Sequence, residues 1–84
     1  MSRRLRRLSS REVCQALGRL GFVVVATRGG DAKLRRTTPE GQRQALTIPL
    51  HRDLAAGTLR AIFRQACRFV PEKDLGPLFL AERR

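Results

Sequence analysis

Apolar and polar positions change period along the chain, and the changes divide it into a helix, three strands, a second helix and a tail. Val13, Ala16, Leu17 and Leu20 recur at three- and four-residue steps, which lays one apolar stripe along a helix. The start of that helix is written in Ser9 to Glu12, S-S-R-E. This is a capping box in which Ser9 accepts from an early backbone N–H and Glu12 reaches back, with Leu8 and Val13 at the two positions of a hydrophobic staple. Gly21 is the expected stop. Ahead of the box, residues 1–7 read as a flexible basic arm.

From Phe22 the period shortens. FVVVAT is a β-branched run next to glycine and reads as a strand buried on at least part of both faces. After an R-G-G turn, AKLRRT alternates, with Ala32 and Leu34 on one face and Lys33 and Arg35 on the other. TPEGQ then punctuates a hairpin, and RQALTIPL alternates again with Leu46, Ile48 and Leu50 on one side. These three strands form an antiparallel meander, ended by Pro49 and followed by a loop of His51, Arg52 and Asp53.

Helical spacing returns at Leu59, Ile62, Phe63 and Ala66, with Thr58 the expected N-cap. Arg60, Arg64 and Arg68 stand four residues apart on the opposite side, either as a solvated face or as a contact for a polyanion. Pro71 breaks this helix. A short tail helix within residues 71–84 folds back through Leu75, Leu78 and Phe79, weakened by Gly76 and Pro77. The expected fold is α+β, a two-layer sandwich of order α-β-β-β-α: two helices on one face of a three-stranded antiparallel sheet, like the double-stranded-RNA-binding architecture, plus a short C-terminal helix. At 84 residues the chain is expected to be one domain, with its core within about 8–70.

Charge adds direction to this picture. The chain holds 18 Lys plus Arg against 7 Asp plus Glu, a formal +11, and all of the cations but Lys33 and Lys73 are Arg. Guanidinium grips phosphate with a planar fork of donors, so the excess favours a nucleic-acid partner, with an acidic protein as the alternative. The four aromatic residues are all Phe at apolar positions, which argues against a surface on which single-stranded bases stack. Two cysteines and one histidine suit neither a disulfide framework nor a metal site, so Cys14 and Cys67 are expected to be small buried hydrophobes, with no cofactor. No apolar run approaches the ~18 residues of a membrane span, and MSRRLRRLSS lacks the apolar core of a signal peptide, so a cytoplasmic, non-membrane protein is expected.

Chemistry concentrates in RGGDAKLRR, Arg28 to Arg36. Arg28, Lys33 and Arg35 are expected to bind phosphate or to keep the sheet face soluble, and Gly29-Gly30 lets backbone N–H groups approach an anion. Arg36 falls on the inward side by parity or lies at the strand's end. Asp31 is either a turn residue, bonded to nearby N–H groups and paired with Arg28 or Lys33, or a general base. His51 is either a loop histidine that helps start the second helix or a general acid beside Asp31, with Arg52 next to it as a further RNA contact.

Three segments in this order, LSSREVCQALGRLGFVVV, RGGDAKLRR and LTIPLHRDLAAGTLRAIFRQA, resemble the HicA (YcfA-like) family of toxins over roughly residues 8 to 68. The resemblance implies a small bacterial toxin that cleaves mRNA and is held inactive by a HicB-type antitoxin from the same operon. It also implies a catalytic histidine directly after the glycine turn, in a G-S-H pattern. Here the pattern reads Gly29-Gly30-Asp31. Metal-free RNA cleavage needs a base, an acid and cations around the phosphorus centre, and an ionised Asp31 serves only as the base. The readings that follow are a HicA-like endoribonuclease with Asp31 and His51 sharing acid-base work, a catalytically silent module that docks RNA or an antitoxin, and, on charge alone, a small basic nucleoid or ribosome-associated protein.

Overall fold

The computed structural model describes residues 4–81. Helix α1 (Ser10–Gly18) leads into strands β1 (Val23–Arg28), β2 (Asp31–Thr37) and β3 (Arg43–Pro49), followed by helices α2 (Ala56–Cys67) and α3 (Glu72–Phe79). The strands form one antiparallel sheet in the order β1-β2-β3, so the fold is α+β with the helices gathered on one side.

Helix α1 is specified locally at both ends. Glu12 N–H donates to Ser9 Oγ at 3.1 Å and Ser9 N–H donates to Glu12 Oε1 at 2.9 Å, completing the capping box, while Leu8 and Val13 are both buried. At the other end Gly21 takes φ +97°. Gly21 N–H donates to the Gly18 carbonyl and Phe22 N–H to the Leu17 carbonyl, both at 3.1 Å, which is the bonding of a Schellman motif. Phe22 and Leu17 are both buried, as that motif favours.

Val13 and Leu17 of α1, Leu34 of β2, Leu46 and Ile48 of β3, Leu59 and Ile62 of α2, and Leu75 and Phe79 of α3 meet in one core. Burial of each such side chain is worth roughly 1.5–3 kcal/mol before entropy is counted. The rings of Phe63 and Phe79 pack edge-on at 5.7 Å, and all four Phe lie in or against this core.

Arg36 is fixed at the meeting point of the helix ends. Its guanidinium donates to the carbonyls of Leu20 (2.9 Å) and Phe69 (3.2 Å) and to Gln44 Oε1 (2.8 Å), and lies 5.1 Å from the centroid of the Phe22 ring. Leu20 and Phe69 sit just past the C-termini of α1 and α2, where carbonyls lack helical partners and the helix dipole is negative. A Cβ on Gly21 would come within 3.2 Å of the Arg36 side chain, so this glycine also makes room for it.

Four sequence expectations are corrected. β1 is exposed along its whole length, because it is an edge strand and the helices lie mainly over β2 and β3. Leu50 is exposed: it lies one residue beyond β3, held by its N–H to the Gly30 carbonyl at 2.7 Å, and is past the cover of the core. Helix α2 begins two residues before Thr58, with Ala55 as N-cap and no side-chain cap. Leu54 and Leu59, at the staple positions, are both buried, so apolar anchoring sets this start. Finally, the basic arm is not free from Arg4 onward. Leu5 bridges Leu80, Arg6 N–H donates to the Phe79 carbonyl and Ala81 N–H to the Arg4 carbonyl, both at 2.7 Å. Residues 1–3 and 82–84 lie outside the described residues.

Candidate nucleic-acid interface

The two faces of β2 divide the work. Ala32 and Leu34 point into the core, while Asp31, Lys33 and Arg35 stand exposed on the outer face. Pairing surrounds them with short side chains. Lys33 faces Ala26 on β1 and Thr47 on β3, and Arg35 faces Val23 and Ala45. The cations therefore rise from a low floor with nothing bulky beside them.

A shallow depression of about 700 Å³ lies there, lined by Val25, Ala26, Thr27, Arg28, Asp31, Lys33, Arg35 and Thr47. Three cations and one carboxylate share it, so its field is positive. A β-bulge between Val24 and Ala26 inserts Val25 as an unpaired residue into the rim.

Gly29 (φ +59°) and Gly30 (φ +86°) form the two-residue turn that joins β1 to β2. Positive φ at both positions is the type I′ geometry, which follows the twist of the strands. A Cβ at either would meet nothing within 4 Å, so conformation rather than crowding requires glycine there. Arg28 and Asp31 pair directly across the turn and line the depression, which Gly29 and Gly30 do not, and the Gly30 carbonyl is taken by Leu50 N–H. The Asp31 side chain has no hydrogen-bond or ion-pair partner among the described residues, so the expected bonds to turn N–H groups, Arg28 or Lys33 are not made.

Three further residues expected at this site, His51, Arg52 and Arg36, do not line the depression. His51 is exposed and does not line the depression; its carbonyl accepts from Ser10 N–H at 3.0 Å and so serves the start of α1 rather than α2. Arg52 is exposed in the same loop, also away from the lining. Arg36 points to the inner side, with its donors engaged as described above. The Arg60, Arg64 and Arg68 ridge is exposed on α2, in the helical layer. The lining contributed by Val25, Ala26, Thr27 and Thr47 was missed, since only strand register brings these residues beside Lys33 and Arg35.

Cys14 and Cys67 are free and half-buried against the core, and burial pushes both thiols above their usual pKa, for Cys67 with help from Glu72. Such thiols are poor nucleophiles. Among the described residues no three His, Cys, Asp or Glu side chains gather into a possible metal site, and no helix is long and apolar enough to cross a membrane.

The sequence model of the HicA toxin of bacterial toxin–antitoxin systems matches residues 10–66. The match runs from the first turn of α1 through the whole sheet to the last turn of α2, and so takes in the depression. No curated protein matches the chain. With more than half of its length matched and its elements in the order described, the chain belongs to the HicA toxin family, a membership that implies an antitoxin as its partner.

Proposed function

We propose that the chain acts on mRNA as a HicA-type toxin, docking the RNA backbone on the outer face of the sheet, and that a HicB-type antitoxin neutralises it. The observation that carries this reading is the convergence of Arg28, Lys33 and Arg35 on one open depression beside an unpartnered carboxylate. Phosphate oxygens accept from the cations. These contacts position the strand without reading bases. Asp31 follows the glycine turn directly, as the histidine does in the family pattern, and is the one carboxylate of the lining. In this reading it takes the 2′-OH proton, and the hydroxyl oxygen attacks the adjacent phosphorus. The bond from phosphorus to the 5′-oxygen breaks, with that oxygen protonated by water, to leave a 2′,3′-cyclic phosphate, and Lys33 and Arg35 stabilise the charge that develops at phosphorus.

A second reading, a catalytically silent module that binds RNA or antitoxin, is favoured by the position of His51. With His51 outside the depression, the lining holds no imidazole to protonate the leaving 5′-oxygen.

Incubating the purified protein with labelled mRNA in the presence of chelator separates the two. Cleavage by the protein as it stands, lost in Asp31→Asn, supports the carboxylate base. Binding without cleavage, with activity gained in Asp31→His, supports the silent module, and failure to bind RNA at all overturns both.

A further inference from the structure

β1 has a free edge. Among the described residues it pairs with β2 alone, and its run VVVATR leaves Val23, Val24 and Val25 exposed at 62%, 45% and 49%. An unpaired strand edge offers a row of backbone donors and acceptors to another chain, and proteins usually blunt it with lysine, proline or a bulge. Here the run carries neither lysine nor proline, and the bulge at Val25 turns an extra apolar side chain outward instead of covering the edge.

The charge around this edge selects its occupant. Val25, Ala26, Thr27 and Arg28 of β1 form one wall of the cationic depression, so a strand added to the edge lies beside Arg28 and one strand away from Lys33 and Arg35, whose long side chains rise from the outer face. A second copy of the chain, itself at +11, would set like charges against each other there. A strand that alternates apolar residues with Asp or Glu satisfies both features, its apolar positions on the valines and its carboxylates toward the cations.

We propose that the antitoxin implied by family membership docks by adding an acidic β-strand to the free edge of β1. The added strand covers the rim of the depression. Exclusion of RNA by the docked antitoxin follows only if the depression is the RNA surface, and in that part the inference rests on the function proposed above. The docking itself does not depend on it.

The test co-expresses the chain with the antitoxin of its own operon and compares amide hydrogen exchange in the free and bound protein. The expected result is slowed exchange across Val23–Arg28. Val25→Lys replaces an exposed side chain, so the fold is kept, and it should weaken antitoxin binding about tenfold. Three results overturn the inference: protection of α2 with β1 unchanged, undiminished antitoxin binding by Val25→Lys, or a homodimer of the chain that protects the same edge. If β1 is protected and Val25→Lys weakens the antitoxin, but Lys33→Ala and Arg35→Ala leave RNA binding unchanged, the docking stands and the RNA surface alone is refuted.

Discussion

Arg35 and Arg36 are neighbours on β2 with identical chemistry, and the sheet sends them to opposite sides. Arg36 turns toward the helices, where it ties the ends of α1 and α2 to β3 through three hydrogen bonds. Arg35 stands on the outer face between Val23 and Ala45, its guanidinium free of protein partners among the described residues. A basic run therefore is not one functional unit. Strand parity, and the presence of orphan carbonyls at helix ends on one side only, decide which cation holds the fold and which is left for a ligand.

The largest effect expected from this contrast is on stability. Arg36→Ala leaves the carbonyls of Leu20 and Phe69 and the Gln44 oxygen without their donor, at a cost of about 3 kcal/mol in urea unfolding. Arg36→Lys should recover only part of this, since a single ammonium does not reproduce the guanidinium fork. Arg35→Ala should change stability by no more than about 0.5 kcal/mol. Equal costs at the two positions would erase the distinction between the faces.

An intermediate effect sharpens the comparison from the other side. Lys33→Ala and Arg35→Ala should each weaken RNA binding for all sequences alike and lower the slope of log affinity against log salt by about one unit. Arg36→Lys, measured on folded protein, should leave that slope unchanged. A loss confined to one RNA sequence would mean that base edges are read.

The smaller effects are local to the other end of α1. Ser9→Ala removes the acceptor for Glu12 N–H and should cost about 1 kcal/mol in the same unfolding experiment, with RNA binding unaffected. Smallest is the pH dependence of that cap. The Ser9 backbone N–H, then the Ser9 side chain, and at longer range Arg6 hold the Glu12 carboxyl below its ordinary pKa, against a weaker opposing effect of burial. A depressed folded pKa adds stability that is fully present above the unfolded value and fades as pH falls through the folded one. Glu12→Gln should therefore lower stability slightly at neutral pH, where the charged cap contributes in full, and converge with the native chain at acid pH, flattening the acid side of the profile. A profile unaltered below the usual carboxylate range would show that the cap does not titrate.

Signals confined to a few residues were legible in the chain. The capping box, the Gly21 stop, and the alternation of β2 and β3 each follow from neighbours close in sequence, and so the α+β order and the outward placement of Lys33 and Arg35 could be read from it. Long-range partners were not legible. A run such as Val23–Val25 has the same composition whether a helix covers it or not, and Thr58 looked like a cap because the anchoring of Leu54 in the core carries no local signal. The pairing of Leu5 with Leu80 joins opposite ends of the chain, and no motif in RRLRRL announces it. Parity put Arg36 inward, but its three acceptors come from three separate elements. Pro49 pairs with Asp31 and Leu50 with Gly30, and at His51 the backbone carbonyl turns to the start of α1, so the imidazole does not line the depression.

The most direct measurement is the affinity of a labelled mRNA fragment for the native chain and for the Lys33→Ala/Arg35→Ala double variant, across a salt series. Binding should be steeply salt-dependent in the native chain, and the double variant should lose about two units of slope while unfolding at nearly the same urea concentration. Equal slopes in the two proteins, or binding that does not change with salt, would contradict the outer face of the sheet as the surface that holds RNA.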